Sequence, residues 1–547
     1  MIKPDHPQRR DMERIYGSIS PFELKDTLIS FANENATAHA QTMLNAGRGN
    51  PNWISTEPRE AFFALGQFAI EECKRVHYVD PGLAGLPERQ GSYDRFRTYA
   101  AKHRYTAGID FLEAVIAYGV KTHNMRPDDW VYELVDGIIG GHYPYPDRML
   151  PQIEKVVYDF LCQELYGGTS LQGHARIYAV EGATAAMCYI FDSLIANQLL
   201  ESGDTIAIMV PIFTPYLEIP HLPQYHFKIK YIIASGTNAD GSHSWQYPDS
   251  EIEKLKDTSI KALFCVNPSN PPSVAVKPCT VNKLVQIIHN HHPNLMIIMD
   301  DVYCTFVDQF RSIMTDIPRN SIGVYSFSKY YGVTGWRLGV IVVHDNNVFD
   351  ELIRSLPTAK RDVIQSRYSA LTTHPEKITF IDRIVADSRQ VALNHTAGLS
   401  TPQQVQMALF AIAGLLDKQN TYKDLTKSIC RRRKAMLYEG LDMDVVHNAY
   451  DASYYTEFDL LVWARRHCGE DFANYLQENF EPVDILFRLA EESSIVLLNG
   501  GGFHGPAWSI RISLANLNDE AYLQIGRAIR HILHDYVNQW HSTQNKT

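Results

Sequence analysis

The sequence predicts an α/β fold: a mostly parallel sheet flanked by helices, with a smaller α+β domain drawn from both termini. Two observations predict it. Short, nearly continuous apolar runs recur through the middle of the chain, as strands buried on both faces require. Most of them alternate with helix-like segments, as parallel strands joined by crossovers require. The runs are RIYAVEGA (176–183), DTIAIMVP (204–211), KALFCVNP (261–268), LMIIMDD (295–301), SIGVYSFSK (321–329) and LGVIVVHD (338–345). After Thr184 the apolar residues Met187, Ile190, Phe191, Leu194 and Ile195 fall at helical spacing, so strand, small-residue turn and helix follow one another.

Outside this core the rhythm breaks. The reading gives 1–60 as the N-terminal part of the small domain and 61–130 as a helix-like insertion. Residues 131–384 form the large domain, and 385–547 the C-terminal part of the small domain, with a late strand, SIRIS, and an insertion near 440–485. Internal repeats, low-complexity tracts and Gly/Ser linkers are all lacking.

Bulk composition narrows the function. At 547 residues and 45% hydrophobic, the chain can bury more than one core. Fifty-one Lys and Arg against 62 Asp and Glu leave a formal net charge of -11 with no long basic block, which argues against a nucleic-acid partner. The eight cysteines are scattered without a C-x-x-C pair, as buried reduced thiols are. The N-terminal stretch lacks the apolar segment of a secretory signal, and no apolar run approaches a membrane span. The expected location is the cytoplasm, with no membrane partner.

In a doubly wound sheet, chemistry collects where strands end. Here LMIIMD delivers Asp300, KALFCV delivers Asn267 and Asn270, and GVYSF delivers Ser328 and Lys329. A carboxylate, an amide and an amine at three strand ends suit pyridoxal 5'-phosphate. That cofactor needs a lysine for its aldehyde, a carboxylate for its ring nitrogen, donors for its ring oxygen and a cradle for its phosphate. Lys329 is the candidate amine. Arg337, Ser326, Ser328 and the Gly182-Ala183-Thr184 turn at a helix N-terminus are the candidate phosphate cradle.

These motifs, SFSKxxxxTGWRLG, NPSNPP, DDVY and SIRIS in this order, resemble the aspartate aminotransferase superfamily, the fold type I enzymes that use pyridoxal phosphate. The resemblance implies that Lys329 is the Schiff-base lysine, that Asp300 pairs with the ring nitrogen, and that Tyr303 and Asn270 bond the ring oxygen. It further implies that Arg511 in SIRIS grips the substrate α-carboxylate, with Asn270 beside it, and that Phe213 in VPIFTPY lies over the pyridine ring. Tyr143 in HYPYPDRML matches a tyrosine that reaches a neighbouring subunit's phosphate. The implied assembly is a homo-oligomer, at least a dimer and in larger cases a dodecamer. Phe213 as plain core and Tyr143 as a packed loop residue are the alternatives.

The opening SPFELKDTLI, the loop LNAGRGNPNW and the overall length are similar to one branch of that superfamily, the bacterial aspartate 4-decarboxylases. The implied reaction converts L-aspartate to L-alanine and CO2, with transamination to a keto acid as the side activity. Loss of CO2 from the side chain needs an electron-accepting carbon–nitrogen double bond one carbon away, a relationship that aspartate has and glutamate lacks. Arg48 in GRGNP is the cation implied nearest the side-chain carboxylate. Its alternative is a surface arginine in a glycine-rich turn, and Arg361 or Arg367 from a neighbouring subunit are further candidates.

A plain aspartate aminotransferase would use the same residues. A cofactor-sensing regulator would need a basic DNA-binding segment, which the sequence lacks. GGGFHG (500–505) satisfies G-x-G-x-x-G, but Pro506 and a strand follow where a dinucleotide fingerprint must open a helix; it is expected to be a turn positioning Arg511. The cluster of His289, His291 and His292 is expected to be a solvated helix end, and no metal site is expected.

Overall fold

Strands of five to seven residues, almost wholly apolar, assemble the central sheet. We label them β1 (Ala175–Val180), β2 (Thr205–Val210), β3 (Lys228–Ile233), β4 (Ile260–Val266), β5 (Met296–Asp300), β6 (Ser321–Ser326) and β7 (Gly339–His344). The computed structural model describes residues 6–39, 42–76, 80, 82–389 and 398–544. Part of the N-terminal stretch read above and residues 390–397, just past the boundary at 384, lie outside the described residues.

The sheet order is β1-β7-β6-β5-β4-β2-β3. All pairings are parallel except those of β7, which runs antiparallel to both β1 and β6. Every residue of β5, β6 and β7 is buried, which explains why their polar residues stand only at the strand ends. The edge strand β3 reads KIKYII and keeps only Ile232 fully inside. Its alternating lysines suit an edge open to water, and they are why the apolar-run criterion passes over it.

A second, antiparallel sheet of order β9-β10-β8 comprises β8 (Tyr455–Asp459), β9 (Leu498–Asn499) and β10 (Ser509–Ser513). It belongs to a separate hydrophobic core that joins residues near both ends of the chain, among them Leu24, Leu28, Phe458, Ile510, Ile525 and Ile529. Leu44 and Asn45 pair in parallel with Ile495 and Val496, tying the N-terminal segment to this core. Helices Glu57–Arg75, Ser92–Lys102, Ile109–His123 and Pro127–Ile139 pack into the larger core.

Candidate active site

The carboxyl ends of five strands meet the small sheet around one cavity of about 320 Å³, within the usual range for a small-molecule site. It is lined by fourteen residues of the large sheet's strand ends and loops, from Ala183 to Arg337, together with Phe22, Gly49, Asn50, Tyr455 and Arg511. Ala183, Thr184, Phe213, Asn270, Asp300, Tyr303, Ser326, Ser328, Lys329, Arg337 and Arg511, all expected from the sequence, therefore share one space.

At its floor, Asp300 is the last residue of β5 and is 4% exposed. Tyr216 donates its hydroxyl proton to Asp300 Oδ2 at 2.7 Å, and the Val302 N–H donates to Oδ1 at 3.1 Å. Burial pushes this carboxyl up to about 6, against those two hydrogen bonds and the Lys329 charge. Burial also drives Tyr216 well above the ordinary phenol value, so it stays a neutral donor.

Lys329 follows β6 on a tight turn and is half-buried, its Nζ donating to the Gly49 carbonyl at 3.1 Å. Tyr454 donates to the same carbonyl at 2.8 Å. Gly49 is a glycine because a Cβ there would meet Tyr455 Oη at 2.6 Å and Lys329 Nζ at 3.2 Å. The loop thus brings bare backbone to the amine.

Opposite Asp300, Ser326 Oγ and Ser328 Oγ are hydrogen-bonded at 2.9 Å. Arg337, in the left-handed region at φ 57°, donates to the carbonyls of Thr334 and Glu181. Gly182 has φ +88°, and a Cβ on it would lie 2.5 Å from Arg337 Nη2. Only glycine lets the turn before helix Ala183–Ala196 approach the guanidinium this closely. A helix N-terminus, two or three hydroxyls and a guanidinium converge here, the donor set of a phosphate site. With the carboxylate at the other end and the amine between, the residues fit pyridoxal phosphate.

Arg511 on β10 is 1% exposed. It donates to Asn270 Oδ1 at 3.2 Å and to the Gly47 carbonyl at 2.9 Å, while its Nε is buried without a partner. Its guanidinium carbon lies over the rings of Tyr455, Phe503 and Phe22 at 4.3, 4.9 and 5.8 Å. Burial lowers its pKa from the ordinary value, with Tyr455, Tyr303 and Glu457 opposing. Phe503 comes from the 500–505 segment, which forms a short turn leading into β10. Asn270 also donates to Tyr303 at 3.3 Å, and Tyr303 is hydrogen-bonded to Tyr455 at 3.1 Å.

Arg48 and Tyr143 do not line the cavity. Arg48 is exposed at the crest of the 46–53 loop, and Tyr143 is 71% exposed. Seven lining side chains are not expected from the sequence, Asn50, Val266 and Val302 among them. Phe22 stacks edge-on against Phe213 at 5.9 Å, Tyr216 holds Asp300, Tyr455 lies under Arg511, and Thr334 precedes Arg337. Tyr216 carried the one usable signal, since it follows Phe213 by three residues on a short helical turn. Among the described residues no group of three His, Cys, Asp or Glu could hold a metal ion, and no helix is long and apolar enough to cross a membrane.

The model of the class I and II aminotransferase family matches residues 145–529, and the chain belongs to that family. Over 528 residues it is 46% identical to a bifunctional aspartate aminotransferase and L-aspartate beta-decarboxylase from Pseudomonas sp, covering 96% of this chain and 98% of that one. An aspartate aminotransferase of Sulfolobus acidocaldarius is 30% identical over only 26% of this chain and 35% of its own length. Among solved structures, the fold is similar to aspartate aminotransferases of Thermus thermophilus with maleate (TM-score 0.57, 14% identity, 93% of this chain and 96% of that one) and of Rhizobium meliloti (TM-score 0.58, 17% identity, 94% and 96%). The fold is that of the fold type I aminotransferases.

Proposed function

We propose that this protein removes the side-chain carboxyl of L-aspartate to give L-alanine and CO2, with aspartate aminotransferase as its side activity and pyridoxal 5'-phosphate as cofactor. One observation carries the choice. The likeness to the bifunctional Pseudomonas protein runs the length of both chains, whereas the likeness to the Sulfolobus aminotransferase covers about a quarter of this one.

The cofactor, when bound, supplies an electrophilic ring that stores electrons released at the substrate α-carbon. Lys329 would hold it and, once displaced as a free amine, move protons at the α-carbon; the Gly49 carbonyl orients the Nζ for that work. Asp300, aligned by Tyr216, would keep a ring N–H in place. Ser326, Ser328, Thr184, Arg337 and the backbone of Gly182 and Ala183 would cradle the phosphate, and Tyr303 with Asn270 would bond the ring oxygen. Phe213 supplies an apolar wall.

Arg511 would grip the α-carboxylate: it is already rigid, and its two hydrogen bonds go to neutral acceptors. Arg48 would meet the side-chain carboxylate from the loop above. A loose contact suits departure of CO2, because a tight ion pair would stabilise the substrate more than the transition state. Exposure of Tyr143 in the single chain is what a residue serving a neighbour's phosphate requires, and it supports a homo-oligomer, at least a dimer.

Incubation of the holoenzyme with L-aspartate and no keto acid tests the reading. Alanine and CO2 should form in equal amounts over many turnovers. Pyruvate should restore activity lost slowly to the amine form of the cofactor. Oxaloacetate as the main product, formed only with an added keto acid, would leave a plain aminotransferase.

A further inference from the structure

The guanidinium of Arg511 has a buried carboxyl group as its cross-strand neighbour. Glu457 on β8 stands directly opposite Arg511 in the antiparallel register, so both side chains leave the same face of the sheet. It is only 7% exposed. An ionised carboxylate here would compete with a substrate carboxylate for the same cation. Yet Arg511 directs its donors to the Asn270 amide oxygen and the Gly47 carbonyl.

Counting protons at Ser509 resolves the conflict. Its Oγ lies 2.6 Å from Glu457 Oε1 and 2.7 Å from the Pro506 carbonyl oxygen. A carbonyl only accepts, and a hydroxyl carries one proton. With Glu457 ionised, two acceptors would share that proton and one short contact would lack hydrogen. With Glu457 protonated it donates to Ser509, Ser509 donates to Pro506, and both contacts are satisfied.

The other oxygen, Oε2, is buried with no hydrogen-bond partner, which is tolerable for a carboxylic acid and costly for a carboxylate. The glycine turn packs its backbone against the group: a Cβ at Gly500 or Gly505 would lie 2.5 or 2.7 Å from Oε1. Burial pushes the carboxyl up to about 8 even with Ser509 taken as a donor that favours the carboxylate, Asp459 adding to the rise and Arg511 opposing it; the proton count at Ser509 reverses that one contribution.

We propose that Glu457 is a positioning residue that keeps a proton in the working enzyme, leaving Arg511 an uncompensated cation for the substrate α-carboxylate, and that loss of this proton weakens substrate binding. The proposal rests on the reading of Arg511 given above. The other charged groups near Glu457 are largely compensated. Asp459 on the same strand pairs with His243, Lys434 with Asp451, and Arg466 with Asp240. Lys277 and, at the exposed rim, Asp444, His447 and His467 line a second cavity, separate from the active site, that Glu457 also borders.

Succinate, which has two carboxylates and no amine, is the probe, and calorimetric titration of the holoenzyme is the measurement. For the wild type, affinity should fall as pH rises through about 8, approaching tenfold per pH unit, with a proton taken up on binding at alkaline pH. Glu457→Gln, neutral at every pH and still able to donate to Ser509, should match the wild type at neutral pH and lose both the steep fall and the extra proton uptake. Ser509→Ala, which removes the acceptor for the Glu457 proton, should move the fall to lower pH.

Identical pH dependence and proton uptake in wild type and Glu457→Gln would overturn the proposal. So would a tenfold weaker affinity of Glu457→Gln at neutral pH, or an upward move in Ser509→Ala. Arg511→Ala separates the two readings: unchanged succinate affinity there refutes the role of Arg511 itself, whereas lost affinity with a pH-insensitive Glu457 refutes only the proton.

Discussion

Strand β10 and the 46–53 loop each offer the cavity an arginine, and they offer it in opposite ways. Arg511 is sealed in the small core, hydrogen-bonded to two neutral acceptors and ringed by Tyr455, Phe503 and Phe22. Arg48 is exposed on a loop whose backbone is fastened on both sides of it, at Gly47 by Arg511 and at Gly49 by Lys329 and Tyr454, while its own guanidinium makes no hydrogen bond or ion pair among the described residues. Ala46 N–H binds the Val496 carbonyl, Asn52 N–H binds the Ala515 carbonyl, and Trp53 donates to the Tyr330 carbonyl. The contrast matches two chemical tasks. An α-carboxylate that stays on the substrate is best held by a pre-organised cation, whereas a carboxylate that must leave is best met by one that yields.

The largest effect is expected at Lys329, which shares the cavity with both regions. Lys329→Ala should cost at least about 10⁴-fold in turnover and abolish the visible absorbance of the covalently held cofactor, since both the anchoring amine and the proton carrier are lost. A variant that kept both would remove the centre of the account.

Asp300→Ala should bind some cofactor yet lose about 10²- to 10³-fold in turnover, the usual cost of removing one buried electrostatic contact. Cofactor affinity of the wild type should also fall as pH drops through about 6, because the carboxyl then takes up a proton and no longer pairs with a ring N–H. A flat affinity across that range would move the ring contact elsewhere.

Arg511→Ala comes next. Loss of a buried, charge-assisted grip is worth about 2–4 kcal/mol, or roughly 30- to 1,000-fold in kcat/KM for aspartate. Alanine binding should suffer equally, and alanine bound normally would mean that the two arginines have exchanged roles. The smallest effect belongs to Arg48→Ala: a change of about threefold in the ratio of alanine to oxaloacetate, as an exposed ion pair allows, with cofactor affinity unchanged. An unchanged ratio would make Arg48 an ordinary loop residue.

The two regions also differ in how far the sequence reveals them. Asp300, Asn270 and Lys329 stand out because each lies at the end of a buried strand or within four residues of it, where polar residues follow an apolar run. The wall supplied by the second sheet gives no such cue. Tyr455 and Glu457 sit in a strand reading YTEFD, and what they do depends on Arg511, more than fifty residues away in sequence and directly across the sheet. Phe22 reaches Phe213 and Arg511 from the far end of the chain. Gly49 is informative only once Lys329 is seen beneath it. Strand β3 was hidden by the lysines that suit it to a sheet edge.

The division of labour between the two arginines has one direct measurement. Holoenzyme is given L-aspartate carrying isotopic label in either the α-carboxyl or the side-chain carboxyl, and the released CO2 is analysed. All label should leave from the side-chain carboxyl, and the α-carboxyl label should remain in alanine. Label released from the α-carboxyl would show that the rigid arginine holds the wrong end of the substrate and would contradict the account.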